Sequence, residues 1–395
     1  MRFPEFHGEW EKCKVSDLLD FYSTNSLSWD QLEYGTDNML NLHYGLIHVG
    51  LPTMVDLSKD ILPAIKKENE PKNFELCKEG DIAFADASED TNEVAKAIEF
   101  YTLEDKAVVC GLHTIHGRDK SNKTVVGYKG YAFSSTAFHH QIRRIAQGTK
   151  IYSISAKNFA ECYIGIPSKE EQTKIAKLLR LIDERIATQS KLIEDLKKLK
   201  SAIIEMEYSH MTKNISPIGD FIEQTSKRNK DKAIHNVLSV SNRQGFIQQS
   251  EQFENRNVAS DDTSNYKIVE KDDFAFNPAR INVGSIARLT LFERGIVSPM
   301  YICFHTGDSL LPEYLDYYFE SKQFFTEIQK RLEGSVRQCL SFEGLCNIPL
   351  CVPAIEGQQQ IAKRLSAIAQ EIMLETDFLE LLQKQKKFLL YQMFT

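Results

Sequence analysis

The sequence predicts an α+β fold in which two related globular bodies are separated by two long helices that pair as an antiparallel coiled coil. Three observations carry this. The stretch 166–206 runs in heptads, the same stretch returns near the C-terminus, and the segments between hold short apolar runs broken by Gly, Asn and Pro.

The first heptad stretch places Ile175, Leu179, Ile182, Ile186, Gln189, Ile193, Leu196, Lys200 and Ile203 at alternating spacings of four and three, the seam of a coiled-coil helix. Pro167 and Ser168 ahead of Glu170 and Glu171 form its start, with carboxylates opposing the N-terminal dipole. An offset of 186 residues carries Pro167 onto Pro353 and the seam onto Ile361, Leu365, Ile368, Ile372, Glu375, Leu379, Leu382, Lys386 and Leu389, so that apolar positions stay apolar and both polar breaks return. In-register parallel pairing would set Lys200 against Lys386. An antiparallel register with Lys200 opposite Glu375 and Gln189 opposite Lys386 avoids this, and a register one heptad away keeps the seam too. Leu178, Leu192, Leu199, Met206, Phe378 and Phe388 lie off the seam as surplus apolar surface, candidates for partner docking.

The bodies start alike as well. At an offset of 200, Val15, Leu18, Asp20 and Phe21 align with Ile215, Ile218, Asp220 and Phe221. The runs LHYGLIHVGLP (42–52) and VLSVSNRQGFI (237–247) read as strands and turns. Gly80–Ala85 aligns with Asp272–Asn277 as an acidic turn entering a buried strand, and from Phe138 onward the offset settles at 186. The boundaries are therefore 1–165 for the first body, 166–211 for the first helix, 212–351 for the second body and 352–395 for the second helix.

Composition is globular: 42% hydrophobic and 10% aromatic over 395 residues. No run approaches 18 apolar residues and MRFPEFHGEW is no signal peptide, so a soluble, cytoplasmic protein is expected. The eight cysteines form no CxxC pair, Cys346 and Cys351 lack knuckle spacing, and no metal is expected in the chain. The net charge of −7 speaks against nucleic acid, but between His113 and Lys157 eight Lys or Arg face Asp119 alone. Such a window is either a solvated face beside an acidic patch or a phosphate-facing surface.

The pattern Ile166-Pro167, Glu171-Gln172, Ile175-Ala176 and Leu179, repeated with a variable body before each copy, resembles the specificity (S) subunit of type I restriction-modification enzymes. The second copy departs by holding Gly357 where the first has Glu171. The resemblance implies that each body is a target recognition domain for one half of a split, asymmetric site in double-stranded DNA. It also implies helices that set the gap and dock two methyltransferase (M) subunits, and restriction/translocase (R) subunits that complete the complex. Catalysis and the cofactors S-adenosylmethionine, ATP and Mg then belong to the partners.

Base reading uses Arg, Lys, Asn and Gln. The first body offers Arg118, Lys120, Asn122 and Lys123 in GRDKSNK, together with Arg143, Arg144, Thr149 and Lys150; the second offers Asn277, Arg280, Asn282 and Ser285, then Ser335, Arg337 and Gln338. Enzyme readings find less. There is no Walker loop or GxGxxG, Phe276-Asn277-Pro278 lacks the rest of an amino-methyltransferase motif, and Asp60 with Glu70-Pro71-Lys72 only loosely matches a metal-dependent nuclease. His113, His116, His139 and His140 sit among basic residues and read as surface or groove-lining rather than as metal ligands or general bases. The other alternative is a coiled-coil scaffold that reads no DNA.

Overall fold

The computed structural model describes residues 2–36, 38–209, 215–242, 244–249, 262–334 and 338–394. It forms two compact units, Met1–Ser190 with Asp377–Thr395, and Lys191–Thr376. Each therefore contains a body, the start of one long helix and the end of the other.

In the first unit a five-stranded sheet runs in the order Leu19–Tyr22, Thr114–Asp119, Ile82–Ala85, Ala97–Thr102, Met54–Asp56. All four residues of Ile82–Ala85 are buried because both faces of this strand are covered. Ile82 and Phe84 enter a core with Tyr128, Phe133, Phe138 and Phe159, while Ala83 and Ala85 enter a second core with Leu42, Ile98 and Phe100. The second unit repeats the order with one strand fewer: Ile222–Thr225, Ile302–Thr306, Phe274–Phe276, Ile286–Arg288. A separate sheet there joins Gly245–Gln248, Val237–Ser241, Arg294–Val297 and Lys267–Glu270.

The turn before the buried strand is the same in both units. Asp81 and Asp273 each accept a hydrogen bond from the amide three residues earlier, Lys78 at 2.9 Å and Glu270 at 2.8 Å. The preceding residue is left-handed in both, Gly80 at φ 84° and Asp272 at φ 69°. Glycine meets that demand freely, and aspartate is among the side chains that tolerate it.

Two sequence readings are corrected. Residues 44–48 form a short helix rather than strand, capped by His43, whose Nδ1 accepts the Gly45 amide at 3.1 Å. The bodies' starts align at an offset of 203, not 200: Val15 donates to the Cys162 carbonyl at 2.8 Å as Ile218 donates to Ile348 at 2.9 Å. Val15 thus matches Ile218, and Asp17 matches Asp220. A chance identity of the Asp-Phe pair had favoured the shorter offset.

The long helices span Lys169–Ser209 and Ile355–Met393, each about 60 Å long at 1.5 Å per residue. Ile175, Leu179, Gln189, Ile193, Ile361, Leu365, Leu382 and Leu389 are buried. Ile182, Ile186, Leu196, Lys200, Ile203, Ile368, Ile372, Glu375, Leu379 and Lys386 are half-buried. The helix segments run antiparallel in the first unit, where Asp183 pairs with Lys386 at 2.5 Å and Arg185 lies 5.1 Å over the Phe378 ring. Lys386 therefore sits beside Asp183 rather than Gln189, about one heptad from the preferred register. Lys200 is held by Glu320 at 2.7 Å instead of by Glu375. The reason is shared by both lysines, for each also lies over a body tyrosine of its own unit: Lys386 over Tyr131 at 5.8 Å and Lys200 over Tyr317 at 5.1 Å.

The helix starts are fixed by a clamp that repeats atom for atom. The buried Gln172 amide donates to the Lys123 and Pro167 carbonyls at 3.0 and 2.9 Å, and its oxygen accepts the Val125 amide at 2.9 Å. Gln358 donates to Ser309 and Pro353, both at 2.9 Å, and accepts Leu311 at 2.8 Å. Beside them Tyr128 donates to the Gly165 carbonyl and Tyr314 to that of Cys351, at 2.6 and 2.9 Å. The 186-residue offset therefore reaches back to residue 123, beyond the Phe138 at which it becomes legible in sequence. Glu171 explains the one departure: it binds Arg2 at 2.6 Å and Trp10 at 3.3 Å, whereas a side chain at Gly357 would press within 3.3 Å of Pro353.

Replacing Gln172 with leucine leaves two carbonyls and an amide without this partner. A loss of about 3 kcal/mol in the first unit is expected. A denaturant midpoint that barely moves would show that the clamp is not structural.

Candidate nucleic-acid interface

The first unit's basic window divides into two parts. Strand Thr114–Asp119 directs Arg118 back into the body, where Nε and Nη2 donate to Asp81 at 2.8 and 2.7 Å and Nη1 to Glu75 at 2.7 Å, with Tyr22 4.5 Å beneath. These bonds raise the Arg118 pKa. Burial opposes ionisation of Asp81, but its bonds to His116 and Arg118 hold the carboxyl below its ordinary range. Arg118 thus braces the sheet, its guanidinium already engaged by Asp81 and Glu75. Asp119 then gathers the next turn, accepting the Ser121 and Thr124 amides at 3.0 and 2.8 Å, which leaves Asn122 exposed and left-handed at φ 50°. Lys120 donates to the Ser16 carbonyl at 2.7 Å, Lys123 pairs with Glu11 at 2.5 Å, and Lys129 is buried against Glu99 at 3.1 Å.

The remaining four cations, Arg143, Arg144, Lys150 and Lys157, have no carboxylate partner among the described residues. Ser135 caps the helix Thr136–Ile145 and accepts the Phe138 amide at 3.3 Å, so Arg143 and Arg144 fall in its last turn. Arg143 donates to Asn92 at 2.8 Å and borders a cavity of about 560 Å³ with Lys96, His139, Lys386 and Lys387. Thr149 and Lys150 stand exposed on a loop closed by the Gln147–Ser153 bridge. Gly148 makes that loop possible: at φ 139°, a Cβ would lie 1.9 Å from the Ile151 carbonyl oxygen.

The second unit has an equivalent bridge, Glu333–Cys339, with Gly334 at φ 101°. Gln338 is exposed, while Ser335 and Arg337 lie outside the described residues. Elsewhere in that unit the segment Asn277–Ser285 folds on itself, the Asn277 amide donating to the Ser285 carbonyl at 3.0 Å and the Asn277 side chain accepting Ala279 at 3.1 Å. Asn277, Arg280 and Ser285 are brought together on a cleft of about 480 Å³, with Ser239, Asn242 and Gln249 opposite. Asn282 is half-buried and off the cleft lining. Arg280 is exposed and makes no side-chain hydrogen bond or ion pair among the described residues. A free guanidinium beside amides and hydroxyls suits the donor and acceptor edges of base pairs. Sequence reading missed Asn242 and Gln249 because they come from another sheet, with no local signal.

The histidine reading also changes. His116 is fully buried and its Nε2 lies 2.8 Å from Asp81, with Cys77 and Cys110 close by, while His113 meets Asp86 at 3.1 Å. Asp60 turns inward to accept the Asp56 amide at 2.8 Å, a turn role that leaves the nuclease spacing without support.

Residues 8–198 match the family described as type I restriction modification DNA specificity domain. Along the whole chain, 24% identity over 97% of it and 92% of the relative links it to a protein of Methanocaldococcus jannaschii named as the MjaX type I restriction enzyme's specificity subunit. The chain is similar along its length to type I restriction-modification specificity subunits. A second relative from the same organism, the MjaVIII specificity subunit, is 25% identical over 61% of this chain and 63% of its own. The fold is shared with a type I S subunit from M. genitalium at a TM-score of 0.58 and 16% identity, covering 100% and 99% of the two chains. A chain from a type I R-M structure concerned with complex assembly and conformational transition gives 0.57 and 12%, covering 98% and 97%. The glutamine clamp gives the repeated Glu/Gly-Gln start its physical meaning: it fixes where each helix leaves its body. Among the described residues no helix is long and apolar enough to cross a membrane.

Proposed function

We propose that this chain reads a split, asymmetric target in double-stranded DNA, one half with each body, and carries two methyltransferase subunits on its paired helices. Restriction/translocase subunits join that complex. S-adenosylmethionine, ATP and Mg belong in this reading to the partners, the chain itself performs no catalysis, and the complex works in the cytoplasm. The observation that carries the reading is the contrast between frame and surface. The Gln172 and Gln358 clamps repeat bond for bond, whereas the segment that follows the buried strand is acidic in one unit, with Asp86, Glu89 and Asp90, and carries Arg280 on a cleft in the other. A common frame with two different readers gives an asymmetric target at fixed spacing.

Of the off-seam apolar residues, Leu178 packs on the first unit's core and Phe378 lies beneath Arg185. Leu192, Leu199 and Met206 are 42, 50 and 54% exposed, and Leu374, Leu381 and Phe388 are 52, 61 and 53% exposed. Each set recurs every seventh residue, a stripe suited to a helical or grooved partner. Leu199→Ser with Leu381→Ser is expected to leave the melting temperature within about 2 °C while weakening assembly with methyltransferase subunits at least about tenfold, roughly 1.4 kcal/mol. Unchanged assembly would place the docking surface elsewhere.

The deciding experiment maps methylated adenines genome-wide with and without this gene, in a host supplying the methyltransferase. Two short motifs around a fixed gap should vanish with the gene, and exchange of residues 212–351 should alter one half only. Methylation indifferent to the deletion would favour a scaffold instead.

A further inference from the structure

We propose that Cys77, Cys110 and His116 form a zinc-binding site inside the first unit. The residues come from three separate segments, which is why no ligand spacing is visible in the sequence. The Leu76–Val109 bridge and the bond from the Cys77 amide to the Val108 carbonyl at 2.8 Å lay Cys77 along the strand Val108–Cys110. His116 belongs to the neighbouring strand Thr114–Asp119.

The two sulfurs are 3.6 Å apart, and they lie with a ring nitrogen of His116 within 4.8 Å of one another. Zinc with bonds of about 2.3 Å to two thiolates at a tetrahedral angle holds them about 3.8 Å apart. All three side chains are buried, Cys77 at 5%, Cys110 at 1% and His116 at 0% exposure.

The imidazole supplies the second, independent observation. Its Nε2 is 2.8 Å from the Asp81 carboxylate, which accepts and cannot donate, so the ring proton sits on Nε2. Nδ1 is then a lone pair, and it is buried with no hydrogen-bond partner. A buried acceptor left without a donor is rare and destabilising. A carboxylate that orients a histidine through its far nitrogen is the arrangement that supports a metal-bound imidazole. Asp81 is itself immobilised by two bonds from Arg118 and one from the Lys78 amide.

Charge and chemistry agree on the ion. Two thiolates and a neutral imidazole balance a dication, so the loaded site adds no net charge to an apolar core, and binding releases the two thiol protons. Soft sulfur with imidazole selects zinc over magnesium or calcium. Three protein ligands leave the fourth position to water or another small donor. The ion staples three segments of the first body together.

The test uses the full chain, reduced and stripped with chelator, titrated with Co2+ as a spectroscopic probe. The expected result is about one Co2+ per chain, with thiolate-to-metal charge-transfer bands and the visible absorption of tetrahedral cobalt, both abolished by adding Zn2+. The wild-type spectrum decides without any variant. Cys77→Ser and Cys110→Ser should each weaken binding at least about tenfold, whereas Cys351→Ser should not. Absence of thiolate bands, bands that survive the Cys77→Ser, Cys110→Ser double variant, or a Cys77–Cys110 disulfide in metal-free chain as isolated would each overturn the proposal.

Discussion

Lys129→Met is expected to destabilise the first unit by about 3–5 kcal/mol, because it strands a buried charge. Glu99 is 0% exposed and accepts from the Gly127 and Gly130 amides at 2.9 and 2.8 Å as well as from Lys129. Burial pushes the Glu99 carboxyl above its ordinary range, and Lys129 and the two amides pull against that. Methionine removes the largest opposing charge. The sign of the pH response follows. A carboxyl raised in the folded state binds more protons than in the unfolded chain, so stability rises as pH falls towards its folded value. The deficit of the variant should therefore shrink between pH 7.5 and 5.5 in denaturant melts. A deficit that stays constant would mean lost packing of the lysine stem rather than an unpaired carboxylate.

Arg280→Ala is the second large effect, and it falls on recognition instead of stability. The guanidinium is exposed at the edge of the second unit's cleft and has no partner to lose among the described residues. Melting should be nearly unchanged. Loss of a base-edge contact costs about 1–3 kcal/mol, roughly 5- to 150-fold in affinity of the methyltransferase-loaded complex for its target. Methylation maps should relax at one position of one half-site. Arg144→Ala gives the contrast, a weakening that is uniform across sequences and lowers the salt slope by about one. If Arg280→Ala behaves in that second way, it contacts phosphate and the cleft is not the reader.

The frame was legible because it is local and duplicated. Proline, glutamine and a seam at three- and four-residue spacing are signals within one helix, and an offset of 186 doubles each of them. Even the departure at Gly357 was visible, though its cause, the grip of Glu171 on Arg2 and Trp10, was not. The basic window shows where such reading stops. Arg118, Lys123 and Lys129 look free in sequence because their partners Asp81, Glu11 and Glu99 lie 30 or more residues away and arrive only when strands pair. A similar distance hid Cys77 from Cys110 and His116, 33 and 39 residues further along. The offset of 200 failed for a related reason: two identical letters outweighed the hydrogen-bond register, which no single sequence displays.

The ends of the long helices have one more consequence. Phe394 sets its ring 5.8 Å from Trp10, edge-on, within the first unit, and Tyr208, at the same point of the repeat, lies 5.0 Å from Tyr314 in the second. Each unit is thus closed by a helix that began in the other half of the polypeptide. The order of parts is body, helix, body, helix, so each unit is assembled from segments that lie far apart in the chain. Covalent order and assembled order are separable here, so evolution or an engineer can exchange one body without redrawing the frame.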